Sequence, residues 1–260
     1  MKPGHWSEAL LSRVEDAGLN ASAPPQQRWV DGWVLRLSPG KAKRARCVNA
    51  IAPGRLPLHD RLVLAGAAYR EADLPLLIRI TPFTQPPALD DVLAAQGMHR
   101  IDDTRVMVAT EWPELPEGVP SGLVLERLAA AEFAEEVGAL RGSPASQRLA
   151  HAARLQSSPV PYQGWVLRRR DTGAIAVCGQ AATEANLVGL YDVFTDPAQR
   201  GQGLARVLCT QLLSMARARG ASVAYLQVES SNAPARAIYH RLGFADAYSY
   251  HYRSPDPDAH

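Results

Sequence analysis

The sequence predicts an α/β protein with mixed α+β sheets, organised as two domains in tandem. Two observations predict this. Short apolar runs of strand character alternate with apolar positions at helical spacing along the whole chain. Between the halves, residues 111–122 read Glu-Trp-Pro-Glu-Leu-Pro-Glu-Gly-Val-Pro-Ser-Gly. Three prolines and two glycines in twelve positions sustain neither a helix nor a central strand. The expected organisation is a first domain over 1–110, an extended linker over 111–122 and a second domain over 123–260. An apolar share of 47% over 260 residues is ample for packed cores of that size.

In the first domain, a helix is expected over His5–Ala17, ended by Gly18. Strands follow at Trp29–Leu37 and Cys47–Ile51, joined by a turn at Ser38-Pro39-Gly40 and the basic run Lys41, Lys43, Arg44, Arg46. That run reads as a solvated hairpin, with an acidic substrate or a nucleotide phosphate as the alternative. A helix near Leu58–Arg70, a strand at Leu76–Thr81, a helix at Ala88–Ala95 and a strand at Arg100–Ala109 complete the half.

In the second domain, Leu123–Leu128 reads as a strand, and 130–140 and 144–157 as helices. Trp165–Arg170 and Ala174–Ala181 form a hairpin turning at Asp171-Thr172-Gly173. Leu187–Thr195 is a strand stopped by Asp196-Pro197. The next helix puts Leu204, Val207, Leu208, Leu212 and Met215 on one face and closes at Gly220. Ala224–Val228 reads as a central parallel strand between two helical patterns. Ser231 or Asn232 caps the last helix, with Pro234 in its first turn and Gly243 after its end.

Composition narrows the classes. No run approaches ~18 apolar residues, so a membrane span is not expected. The first residues, Met-Lys-Pro-Gly-His-Trp-Ser-Glu, lack the apolar core of a secretory signal. Cys47, Cys178 and Cys209 are odd in number and widely spaced, which fits reduced thiols. The seven histidines show no ligand spacing, so no metal is assigned. A net charge of +2 gives no reason to expect nucleic acid. The expected compartment is the cytoplasm.

The chemistry concentrates after Leu190. A strand runs into Thr195-Asp-Pro-Ala-Gln-Arg200-Gly201-Gln202-Gly203, and an amphipathic helix opens straight from the glycines. Amides at a helix N-terminus have no partner within the helix and carry about half a positive charge. Glycines beside them admit an anion where side chains would block it. The turn is a phosphate cradle, and it lacks the Lys-Ser/Thr of a nucleotide hydrolase.

These residues resemble the GNAT superfamily of acyl-CoA-dependent N-acyltransferases. Its pyrophosphate signature, Arg/Gln-x-x-Gly-x-Gly/Ala, is matched by Arg200, Gly203 and Ala205. Its second element, an Asn followed seven residues later by a Tyr and then Leu-Gly-Phe, is matched by Asn232, Tyr239 and Leu242-Gly243-Phe244. The resemblance is closest over 187–245. It implies two GNAT-like domains, the N-terminal one shortened and lacking the pyrophosphate loop, since nothing between Ile51 and Leu64 supplies the signature.

The resemblance further implies that the backbone of Gly201, Gln202, Gly203, Leu204, Ala205 and Arg206 holds the pyrophosphate of acetyl-CoA, with Arg200 and Arg206 adding charge. The backbone of Val193, Phe194 and Thr195 would meet the pantetheine arm, Asn232 would contact it, and Tyr239 would protonate the departing thiolate. A base is harder to assign. Relatives that acetylate ribosomal-protein N-termini carry Leu-Glu-Val before the Asn; here the same place reads Leu226-Gln227-Val228, and Gln is no base. Glu229, two residues on and on the same strand face, is the candidate, with Asp192 and Glu184 as rivals.

The expected function is N-acetylation of a small-molecule or protein amine by direct attack in a ternary complex. The alternative is a non-catalytic acyl-CoA sensor with a partner-binding N-terminal half. Expected partners are acetyl-CoA and an amine acceptor, with a homodimer left open.

Overall fold

A computed structural model of the protein describes residues 6–113 and 118–259. The expected helix start at His5 and the middle of the expected linker, 114–117, lie outside the described residues. In the first half the order is α1 (Glu8–Ala21), β1 (Gln27–Val30), β2 (Trp33–Arg36), β3 (Val48–Ala50), α2 (Leu58–Glu71), β4 (Ile78–Ile80), α3 (Leu89–Ala95) and β5 (His99–Ala109). The second half runs β6 (Leu123–Leu128), α4 (Ala130–Leu140), α5 (Ala145–Gln156), β7 (Tyr162–Arg169), β8 (Ile175–Glu184), β9 (Leu187–Thr195), α6 (Leu204–Arg217), β10 (Val223–Glu229), α7 (Ala233–Arg241) and β11 (Ala245–Ser254).

Among the described residues the strands form one sheet in the order β1-β2-β3-β4-β11-β5-β10-β9-β8-β7-β6. A similar series of pairings occurs twice. Antiparallel pairs, two in the first half and three in the second, lead to a parallel pair, β3 with β4 and β9 with β10, and each parallel pair is closed by an antiparallel strand. The closing strand comes from the other half. β5 pairs with β10, β11 pairs with β4, and β5 and β11 pair with each other at the centre.

Three elements differ from the sequence reading. Trp29–Leu37 is a hairpin, because Asp31 and Gly32 take left-handed conformations (φ 42° and 86°) and fold β1 back on β2. Asp-Gly between apolar residues is a strong two-residue turn signal. The first helix runs past Gly18 to Ala21. Gly18 sits where α1 crosses β10, and a β-carbon there would lie 2.9 Å from Gln227 Nε2, so close approach and not helix termination explains it. The sequence reading also placed no strand at 245–254, where β11 stands.

Packing fixes what matters for the site. Leu204, Leu208, Leu212 and Leu213 of α6 are buried, with the helix packed on β8 and β9, and each such side chain contributes about 1.5–3 kcal/mol of burial. The start of α6 is therefore held rigidly against the sheet. On the opposite face, α1 covers Tyr191, Tyr225, Tyr250 and Tyr252.

Candidate active site

The parallel pairing of β9 with β10 runs only from Leu187↔Val223 to Leu190↔Leu226. Beyond it β9 continues to Thr195 and β10 to Glu229 without touching. A bulge forces them apart: the register against β8 shifts between Cys178 and Gln180, and Asp192 has φ 52°. The edge of β9 that faces β10 is thus open along Val193, Phe194 and Thr195, which are all half-buried.

Where β9 ends, Asp196 accepts from the Ala198 amide and starts a turn that delivers the chain to α6. The first bond of the helix is from the Val207 amide to Gly203 O. Among the described residues, the amides of Gly201, Gln202, Gly203, Leu204, Ala205 and Arg206 donate to no protein acceptor. Gly201 and Gly203 are left-handed (φ 79° and 75°), and a β-carbon on either would meet nothing within 4 Å. Arg200 and Arg206 are exposed at the same turn, and Arg200 lies 5.9 Å from the Phe194 ring.

The equivalent turn of the first half, between β3 and α2, is different. There the amides of Arg55 and Leu56 both donate to Asp31 Oδ2 at 2.7 Å. Gly54 packs against Asp31 so closely that a β-carbon would lie 2.4 Å from its carboxylate. The buried Arg61 guanidinium lies 3.8 Å from the same oxygen. A carboxylate of the protein's own holds the place of an external anion.

Two cavities meet in the β9–β10 cleft. One, of about 440 Å³, runs along the 199–205 turn; the other, of about 430 Å³, opens toward the first half. Val193, Asn232, Ala235 and Tyr239 line both, so they form one passage. Asn232 caps α7 by accepting from the Ala235 amide at 3.2 Å, and Pro234 stands in the first turn. Tyr239 is buried and, among the described residues, its hydroxyl has no protein partner. Burial, reinforced by nearby Cys209, raises its pKa well above the ordinary tyrosine value, so the hydroxyl keeps its proton.

The carboxylates separate clearly. Glu229 is exposed at the end of β10, lines the second cavity and has no ion-pair partner among the described residues. Asp192 lines it too, but Arg141 Nη1 and His151 Nε2 lie 3.2 Å away and Arg154 Nη2 4.0 Å. Burial alone would raise its pKa; the His151 contact and the two arginines outweigh that and hold it below the carboxylate range. Asp192 is an ion-pair anchor and a poor proton acceptor. Glu184 is at the far end of β8, bonded by Asn20 Nδ2 at 3.0 and 3.2 Å, and plays no part in the cleft. Gln227 Oε1 accepts from Tyr250 Oη at 2.9 Å.

The first half also contributes to the cleft, where the sequence reading favoured a solvated hairpin over its alternative of a binding role. Lys41, Lys43, Arg44 and Asp102 line the second cavity, so the basic run is a wall of the cleft and not a solvated hairpin. Arg46 is buried. No periodicity in the sequence points there, because the approach depends on the crossed pairing of β5 and β11. All three cysteines are buried and free. Burial pushes the thiols of Cys178 and Cys209 up to about 12, so neither is a thiolate at neutral pH.

A bulged, splayed pair of parallel strands with a free-amide turn at its mouth defines the class. Residues 130–244 match the Acetyltransferase (GNAT) family, and this part of the chain is a GNAT domain. Over 243 residues the chain is 24% identical to YobR of Bacillus subtilis, named an uncharacterized N-acetyltransferase, spanning 87% of this chain and 91% of that one. Its fold is similar to a GCN5-related N-acetyltransferase from Kribbella flavida (TM-score 0.69, 19% identity, 96% and 97% covered). It is also similar to a tandem GNAT protein from the clavulanic acid biosynthesis pathway (TM-score 0.61, 18% identity, 92% and 88% covered). Among the described residues no group of side chains could hold a metal ion, and no helix is long and apolar enough to cross a membrane.

Proposed function

We propose that the protein is an acetyl-CoA-dependent N-acetyltransferase that works by direct transfer to an amine in the cytoplasm. The observation that carries this is the row of six consecutive amides, from Gly201 to Arg206, that find no acceptor among the described residues. Amides left this way at a helix start favour a bound anion, and the two open glycines let a pyrophosphate come within hydrogen-bond distance. Arg200 and Arg206 add charge beside it. The open edge of Val193–Thr195 suits the amide groups of a pantetheine arm, with Asn232 on the other wall.

When bound, acetyl-CoA supplies a thioester carbonyl and a thiolate leaving group. The acceptor's amine nitrogen forms the new C–N bond as the C–S bond breaks, and the electron pair leaves on sulfur. Tyr239 gives that sulfur its proton, a role that a hydroxyl kept protonated in the cleft fits. Glu229, directly or through water, takes the proton that the amine loses. A relay through a cysteinyl intermediate finds no support in three buried thiols.

The test is a titration with acetyl-CoA followed by a thiol-release assay across a panel of amines. Saturable binding with amine-dependent CoA release is expected. Binding with no acceleration by any amine would leave only the non-catalytic sensor, and absent binding would remove both.

A further inference from the structure

The charges around the 430 Å³ cavity do not balance locally. Lys43 Nζ is spent on Asp102, at 3.0 and 3.1 Å from its two oxygens. Asp192 is held by Arg141, His151 and Arg154. Among the described residues, three charged groups lining the cavity then have no partner of opposite sign: Arg44 and Lys41 on the loop from the first half, and Glu229 at the end of β10.

Arg44 is the informative one. Its Nη1 donates to Tyr250 Oη at 3.1 Å, its guanidinium lies 6.0 Å from the Tyr191 ring, and its Nε is buried without a partner. A guanidinium set among tyrosines with no carboxylate nearby is costly to desolvate, and a planar anion would satisfy its donors. The cation and the free carboxylate Glu229 line the same cavity, and Tyr239 lines it with them.

Resting on the acetyltransferase reading, we propose that the acceptor is zwitterionic: an amine with a carboxylate within a few bonds of it, in the manner of a free amino acid. Arg44 takes the carboxylate, with Lys41 beside it, and the amine lies toward Glu229 and Tyr239. The first half is then the specificity element for the transferase half.

The experiment measures amine-dependent CoA release for amino acids, their carboxamides and the matching decarboxylated amines. A carboxamide carries the less basic amine and so has more of it in the reactive neutral form. A preference for the acid therefore cannot come from amine protonation. At least one amino acid is expected to exceed its carboxamide in kcat/KM by roughly 10- to 100-fold, the range for a charge-assisted pair. Arg44→Gln should erase that ratio through KM while leaving acetyl-CoA affinity unchanged. That selective loss is one that misfolding would not produce. Equal or better turnover of carboxamides or simple amines by the wild-type protein overturns the proposal and leaves the transferase reading intact. Absence of CoA release with every amine instead overturns the transferase reading itself.

Discussion

Gly203→Glu should silence the donor site by giving the second half what the first half already has. In the first half, one carboxylate of the chain, Asp31, takes two loop amides at 2.7 Å. At Gly203 a side chain would project into open space beside six free amides. The cost to the fold is modest. A left-handed residue with a β-carbon costs ~1–2 kcal/mol, partly offset by ~0.3–1 kcal/mol from a carboxylate at the start of α6. The cost to the ligand is larger. A pyrophosphate must displace two hydrogen bonds to a charged group, each about 1.5–3 kcal/mol. That is about 3–6 kcal/mol, or roughly 10²- to 10⁴-fold in Kd. Gly203→Gln, matched in size but uncharged, should weaken binding far less. Isothermal titration with acetyl-CoA and urea denaturation of all three proteins separate the effects. Wild-type affinity in Gly203→Glu, or equal losses in the Glu and Gln variants, would refute the anion-cradle reasoning.

Tyr239→Phe should lower kcat by roughly 100-fold while acetyl-CoA affinity and melting temperature stay near wild type; among the described residues its hydroxyl makes no bond, so little else is removed. Because burial raises the Tyr239 pKa, this acid stays protonated to higher pH than an ordinary tyrosine. Log kcat/KM is therefore expected to rise with pH at a slope near 1 as the acceptor amine deprotonates, with no falling limb below about pH 10. A limb centred near pH 8.5 would disqualify Tyr239 as the donor. Asp31→Ala should cost about 2 kcal/mol in urea denaturation, since it strips two amides of their acceptor and the buried Arg61 of its ion-pair partner. Asp31→Asn, which keeps an oxygen and tolerates φ 42°, should cost less; equal stability of all three would show that this contact is idle.

The second half was legible because its chemistry is local. The β9 strand, the Gly201/Gly203 turn and the α6 stripe follow one another within thirty residues, and each is marked by residue type. Asn232 and Tyr239, two helical turns apart, line the same passage as their spacing implies. What escaped is non-local. The walls made by Lys41, Arg44 and Asp102 depend on β5 and β11 crossing between halves, and no periodicity encodes which distant strand closes a sheet. Glu184 and Asp192 were indistinguishable from Glu229 in sequence; only Asn20 on one and Arg141 with His151 on the other separate them. The Asp31-Gly32 hairpin is a different kind of miss, since the turn signal stands in the sequence between two apolar runs.

The insertion of residues 245–254 between β4 and β5 has a consequence for biosynthesis. A ribosome releases chain in order, and segments that finish early usually fold early. Here the opening hundred residues leave the exit tunnel with a gap in their hydrogen-bonded ladder. Neither flanking edge meets its neighbour until translation has passed residue 254. Until then two unpaired edges stand open to pairing with other nascent chains, and the sheet of the first half is completed only by β11.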